Sequence, residues 1–216
     1  MTSTGAVDLP DWMARLAAAV AAARPAELTR FGPPPDQPAR PSAVLMLLAD
    51  GPAGPDLLLT RRSSGMRAHS GQPAFPGGAT DPTDVDARAC ALREAQEEVG
   101  VDPAAVVTVA ELPPIWVPVT GFVVTAVLGW WQEPGPVAAQ EAEVAAVRRV
   151  PIAELADPAN RVRVRHPSGY IGPGFDVEDM IVWGFTGGLT DALLRMGGWE
   201  LPWLPGRLVD IESELT

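Results

Sequence analysis

Apolar runs alternate along this chain with short polar, glycine- and proline-punctuated stretches, and each kind of segment predicts its own element. Residues 42–49 (SAVLMLLA) form a continuous apolar run of strand length, which suits a strand buried on both faces. Residues 56–60 follow a Gly/Pro turn and complete a hairpin with it. Residues 106–111 and 122–131 read as further strands, and 143–149 alternates toward another. Residues 162–164 and the stretch near 170–175 suggest a late hairpin. Helical spacing is expected over 8–24, opening at Asp8 to Asp11 and closing before Pro25. A short helix is expected at 152–155. A final one covers 183–195, beginning near Asp176, Glu178 and Asp179. Residues 32–41, with five prolines, read as a linker, and 113–118 as a stiff loop bordering a cleft. Trp199 and Trp203 are expected to pack the tail onto the domain. Strands and helices mixed in this order predict an α/β sandwich.

Composition narrows the function classes. A chain of 216 residues with 47% hydrophobic content can bury a full core as one domain with additions at its ends. Its net charge of −11 argues against broad electrostatic binding of nucleic acid or an anionic membrane. All 16 basic side chains are arginines. Cys90, alone, forms no intramolecular disulfide, so a reducing cytoplasm is the expected setting. Its place among alanines marks a small core filler rather than a nucleophile. The N-terminus has no basic region ahead of an apolar one, so no signal peptide is expected. The run from Met13 to Ala23 is too short to span a bilayer and reads as a surface helix or a dimer contact.

The candidate chemistry lies in residues 58–101. Glu94, Glu97 and Glu98 share one helical face at spacings of three and four. Like charges so placed each cost a helix about 0.2–0.5 kcal/mol. Mg²⁺, which takes hard oxygen ligands and bridges carboxylates to phosphates, is the natural counter-charge. The bland alternative is a solvated helix end, and the hexapeptide REAQEE alone leaves the two about even. Upstream context tips the balance. Phe75-Pro76-Gly77-Gly78 reads as a strand end entering a tight turn, where glycine permits close approach or positive φ. The loop holding Asp81, Asp84 and Asp86 supplies the N-cap from Asp84 or Asp86. Ala89, Leu92 and Val99 form the apolar stripe, and Gly100 stops the helix.

Gly78, Asp84, Arg93-Glu94, Ala95-Gln96, Glu97-Glu98, Val99, Gly100 and Val101 together resemble the signature of Nudix hydrolases. The loop acid is an aspartate and lies one residue further from Arg93 than in the general pattern. Either Asp84 or Asp86 therefore takes the role of bracing Arg93. Leu58-Leu59-Thr60-Arg61-Arg62-Ser63, then Arg67, Gly71 and Phe75-Pro76-Gly77-Gly78, resemble the extra motif of the coenzyme A diphosphatase branch. The resemblance implies a Nudix-type α/β/α sandwich with a mixed sheet, N-terminal helix and C-terminal helix. It divides the chain into a helix and proline-rich linker (1–41) and a hydrolase domain with C-terminal helix and tail (42–216).

The implied reaction is hydrolysis of the coenzyme A pyrophosphate to 4′-phosphopantetheine and adenosine 3′,5′-bisphosphate with Mg²⁺ or Mn²⁺. Glu94 and Glu98 are expected to ligate the metal, with Glu97 a further or outer ligand and the Gly77 carbonyl completing the site. Glu143 is the candidate base, with Glu141 and Glu97 competing; either later glutamate, taken singly, is more often simply solvated. Arg93 holds the helix end. Arg61, Arg62, Arg67 and His69 form a basic island suited to phosphates, beside Gly78, although any one arginine could instead pair with a nearby acid. Trp116 and Phe122 are candidate base-stacking aromatics with packing as the safer reading. His166 reads as a surface residue. Alternatives are a Nudix enzyme acting on ADP-ribose, a dinucleotide or a damaged nucleotide, and a non-catalytic ligand sensor. Similar proteins are commonly homodimers.

Overall fold

A computed structural model describes residues 8–29, 40–63, 71–204 and 206–211. Arg67, His69 and nearly all of the proline-rich linker lie outside the described residues. The central element is β1 (Arg40–Gly51), which runs parallel to β7 (Phe122–Trp131) and antiparallel to β2 (Gly54–Arg62). Around these the sheet runs β3 (Pro73–Ala74), β2, β1, β7, β5 (Val106–Glu111). β4 (Gly77–Ala79), β6 (Ile115–Val117) and β8 (Val144–Pro151) pair with β1, β7 and β2 respectively. The sheet is therefore mixed, as expected.

The unbroken apolar run of β1 divides by the two-residue period of a strand. Ala43, Leu45, Leu47 and Ala49 face one core, and Met46 and Leu48 the other. The first core is covered by α3 (Ala87–Val99). The second is covered by α1 (Asp11–Ala21), α4 (Ile152–Ala156) and α5 (Gly184–Met196). A sheet covered by helices on both faces is the expected α/β/α sandwich. Met13, Leu16 and Val20 of α1 enter that second core, so α1 is an integral layer rather than a surface helix. Gly129 lets β7 lie close under its neighbours, because a Cβ there would come within 3.1 Å of Leu45 and Val106.

Several elements differ from the sequence expectation. The first helix is shorter than 8–24, and Pro25 opens a separate turn of helix, α2 (Pro25–Leu28), at the position where its missing N–H costs nothing. The proline-flanked segment 113–118 holds strand β6, whose residues pair with β7. Gly77–Ala79 is a strand paired with β1 rather than a tight turn. The acids at 176–179 do not open the final helix. They end β10 (Ile171–Val177) and turn into β11 (Met180–Val182), and the helix starts only at Gly184. The late hairpin is part of a second sheet, ordered β11, β10, β9 (Arg161–Arg165), β12 (Leu208–Asp210). Trp199 lies 6.1 Å from Trp12, and Trp203 covers Arg161, so the tail packs onto the domain.

Candidate active site

α3 is fixed at both ends by local chemistry. Asp86 is the N-cap and accepts from the Ala89 N–H at 2.8 Å. Gly100 ends the helix in the left-handed conformation (φ 73°), donating to the Gln96 carbonyl while Val101 reaches back to Ala95. The face that α3 buries is Cys90, Ala91, Ala95 and Val99. This corrects the expected stripe of Ala89, Leu92 and Val99, of which only Val99 is fully buried; Leu92 packs at the edge of the core. Small side chains there let the helix lie close to the sheet. Cys90 sits within this face, and burial raises its thiol pKa, which suits a filler.

Asp84, freed from capping, grips Arg93 through two hydrogen bonds of 3.0 and 2.9 Å. This forked pair settles which loop acid braces the arginine. The guanidinium holds the Asp84 carboxyl down at about 2. The same guanidinium donates to the Ala79 carbonyl (3.2 Å), reaches Glu94 (3.0 Å) and pairs with Glu97 (2.9 Å). Arg93 thus ties loop, β4 and helix into one unit.

The three glutamates are not equivalent. Glu98 is 5% exposed and accepts from the Gly77 N–H at 3.1 Å. Burial raises its pKa to about 7, with Glu94 and Glu143 adding repulsion and Arg62 and the Gly77 N–H opposing it. Glu94, its side chain 15% exposed, is also pushed upward, chiefly by burial, with Arg93 opposing and Glu97 and Glu143 contributing repulsion. Glu97 is 60% exposed at its side chain and turned to Arg93. The glycines serve close approach rather than positive φ. A Cβ on Gly78 would stand 2.5 Å from the Glu94 carboxylate, and one on Gly77 would stand 2.7 Å from the Val44 backbone.

Two further predicted residues act electrostatically on these carboxylates. Glu143, in the turn before β8, acts on both Glu94 and Glu98. Its carbonyl holds the Ser63 N–H at 2.8 Å. Arg62 acts on Glu98 from the end of β2, beside a bulge at Ala145 of β8 that shifts the register. Bulges of this kind re-aim side chains. Arg61 is not brought to the same place; it pairs with Asp179 at 3.3 Å. Sequence reasoning missed that partner because it lies in the β10–β11 turn, 118 positions away. Trp116 is buried on β6, and Phe122 carries the Arg40 guanidinium over its ring at 4.3 Å. His166 bonds with Ser168 in a turn.

Two carboxylates shielded from water and both disfavoured as anions require positive charge to be ionised together. A hard divalent cation meets that need. Among the described residues no group of three or more His, Cys, Asp or Glu side chains is placed to hold a metal ion. An open pair of acids suits Mg²⁺, which keeps waters and takes the rest of its ligands from substrate phosphates.

The α/β/α sandwich thus sets paired acids on a helix against a glycine-rich strand. The NUDIX domain family model matches residues 39–168, and the chain belongs to that family. An uncharacterized Nudix hydrolase, NudL, of Cronobacter sakazakii is 44% identical over 166 residues, covering 73% of this chain and 83% of that protein. NudL of Escherichia coli, likewise uncharacterized, is 43% identical with the same coverage. Two solved structures share the fold. One is a Nudix hydrolase from M. smegmatis, RenU (TM-score 0.50, 22% identity, 77% of this chain and 90% of that one). The other is a Nudix hydrolase from Alicyclobacillus acidocaldarius (TM-score 0.50, 21% identity, 74% and 93%). Membership supports pyrophosphohydrolase activity on small molecules, and Nudix hydrolases generally use divalent metal ions. No described helix is long and apolar enough to cross a membrane.

Proposed function

We propose that this chain hydrolyses the pyrophosphate of coenzyme A, or of an acyl form, releasing adenosine 3′,5′-bisphosphate and 4′-phosphopantetheine or its acyl derivative. The observation that carries the reading is Arg62, in the arginine motif, whose charge acts on the buried Glu98. A guanidinium near Glu98 supports a substrate phosphate being held there. Glu94 and Glu98 hold Mg²⁺ or Mn²⁺, with the Gly77 carbonyl and Glu97 as additional oxygens. When bound, such a cation neutralises charge on the phosphoryl oxygens. Glu143, exposed and beside both carboxylates, takes the proton of the attacking water, with Glu97 and Glu141 as its competitors. Of the later pair, Glu143 is the one whose charge acts on both Glu94 and Glu98. Water oxygen then bonds to one phosphorus as the bridging P–O bond breaks, and the other phosphate leaves with the bridging oxygen. Arg93 touches no reacting atom in this scheme; through Asp84 it positions Glu94. Arg62, Arg67, His69 and the Gly78 backbone contact the substrate, Arg61 being held by Asp179, and the lone buried thiol suits a reducing cytoplasm.

One observation favours a second reading. Arg61 is already engaged by Asp179, which leaves fewer cations for the 3′-phosphate of coenzyme A and suits ADP-ribose or a dinucleotide. Incubating the protein and Mg²⁺ with coenzyme A, acetyl-coenzyme A, ADP-ribose and diadenosine tetraphosphate, with products identified by mass spectrometry, separates the two. Adenosine 3′,5′-bisphosphate as the fastest-formed product supports the proposal. Faster cleavage of ADP-ribose or the dinucleotide overturns it.

A further inference from the structure

The second sheet carries an open, mostly apolar cavity with two arginines in its lining, and it shares no residue with the carboxylate site. It measures about 350 Å³ and is lined by Arg161, Arg163, Pro173, Asp191, Glu200 and Trp203, among others. Arg161, Arg163 and Arg165 alternate along β9 with the buried Val162 and Val164. Two of these arginines are matched by acids. Arg161 pairs with Asp191, which also holds Arg195, and Arg165 pairs with Asp210 at 3.3 Å. Arg163 forms no ion pair among the described residues, and its Nε–H is buried without an acceptor. Arg161, its side chain 3% exposed, is clamped between Phe175 (4.5 Å) and Trp203 (4.7 Å) with its own Nε–H equally unmet. Two buried guanidinium N–H groups without an acceptor, on residues that line one cavity, are costly unless something accepts from them.

We infer that this cavity is a binding site for a small oxyanion, a phosphate or carboxylate, carried on a flat apolar body. The anion accepts from Arg163 and from the Arg161 Nε–H, as planar guanidinium donors favour. The body lies along Pro173, Ile171 and Trp203. A volume near the lower end of the range for small-molecule pockets fits a ligand no larger than a mononucleotide. Asp191 is neutralised by its two arginines, so the exposed Glu200 at the rim is the remaining charge that repels the ligand.

Calorimetric titration of the full chain in chelator, with inorganic phosphate, AMP and benzoate as separate probes, tests this. Chelator keeps phosphates from being drawn to the carboxylate pair. Saturable binding of at least one probe is expected, with AMP or phosphate favoured if the oxyanion is a phosphate and benzoate if it is a carboxylate. Arg163→Gln should weaken that binding about tenfold or more, since it removes a charge-assisted contact. Glu98→Gln should leave it unchanged. Glu200→Gln, an exposed change that does not threaten folding, should tighten it severalfold. The inference is overturned if no probe binds saturably. It is equally overturned if Arg163→Gln and Glu200→Gln leave affinity unmoved, or if Glu98→Gln is the variant that abolishes binding. None of these results depends on which pyrophosphate the enzyme cleaves.

Discussion

Replacing Glu98 with Gln should make the metal-free protein more stable at pH 8 while destroying its metal site. The carboxyl is 5% exposed, and burial lifts its pKa from 4.5 to about 7. At about 1.4 kcal/mol per pH unit, ionising it in the folded protein costs about 3 kcal/mol that the unfolded chain does not incur. Below pH 4.5 both states hold the proton and the cost vanishes. Between 4.5 and about 7 the folded state binds more protons than the unfolded one, so stability falls as pH rises, and above 7 the full cost remains. The glutamine amide is neutral throughout and keeps an oxygen for the Gly77 N–H. Urea denaturation in chelator should therefore show the variant more stable by up to about 3 kcal/mol at pH 8 and equal to the wild type near pH 4.5. Adding Mn²⁺ at pH 8 should reverse the order, because only the wild type gains binding free energy. A difference that does not change with pH, or a variant less stable at pH 8 in chelator, would refute the reasoning.

Gly78→Ala puts a methyl 2.5 Å from the Glu94 carboxylate; kcat should fall about a hundredfold by displacement of that ligand, whereas unaltered turnover would show that Glu94 is not needed where it stands. Asp84→Asn removes the forked partner of Arg93 and should cost about 2 kcal/mol at pH 7. Because the Asp84 carboxyl is held at about 2, that cost should fade as pH drops from about 4 toward 2, which acid titration of both proteins by circular dichroism would check. Glu178 and Asp179 occupy the two central positions of the β10–β11 turn with φ of 49° and 58°. Glu178→Gly should raise stability by about 1 kcal/mol in thermal unfolding, since the ion pair it forgoes with Arg148 is long (3.8 Å) and exposed.

Strands were legible where a continuous apolar run had to serve two cores at once, as in β1 and β7, and helix α3 where its cap and closing glycine marked it. The short strands β4, β6 and β11 were not, because they are held by pairing with distant partners rather than by any pattern of their own. β6 even lies among prolines, and its identity comes from its ladder with β7. The carboxylate helix was readable from spacing, yet spacing could not say that Glu98 turns inward while Glu97 turns to Arg93. That division follows from how α3 packs Cys90, Ala91, Ala95 and Val99 onto the sheet. Nor could sequence choose between Asp84 and Asp86, since either could cap; the structure spends Asp86 on the cap and leaves Asp84 for Arg93. The partnership of Arg61 with Asp179 joins two sheets and leaves no local trace in the sequence.

Titrating the protein with Mn²⁺ and following the free ion by electron paramagnetic resonance asks whether the buried acids are ligands. Saturable binding by the wild type, lost in both Glu94→Gln and Glu98→Gln, is the predicted result. Undiminished binding in the two variants would contradict the assignment of these carboxylates to the metal.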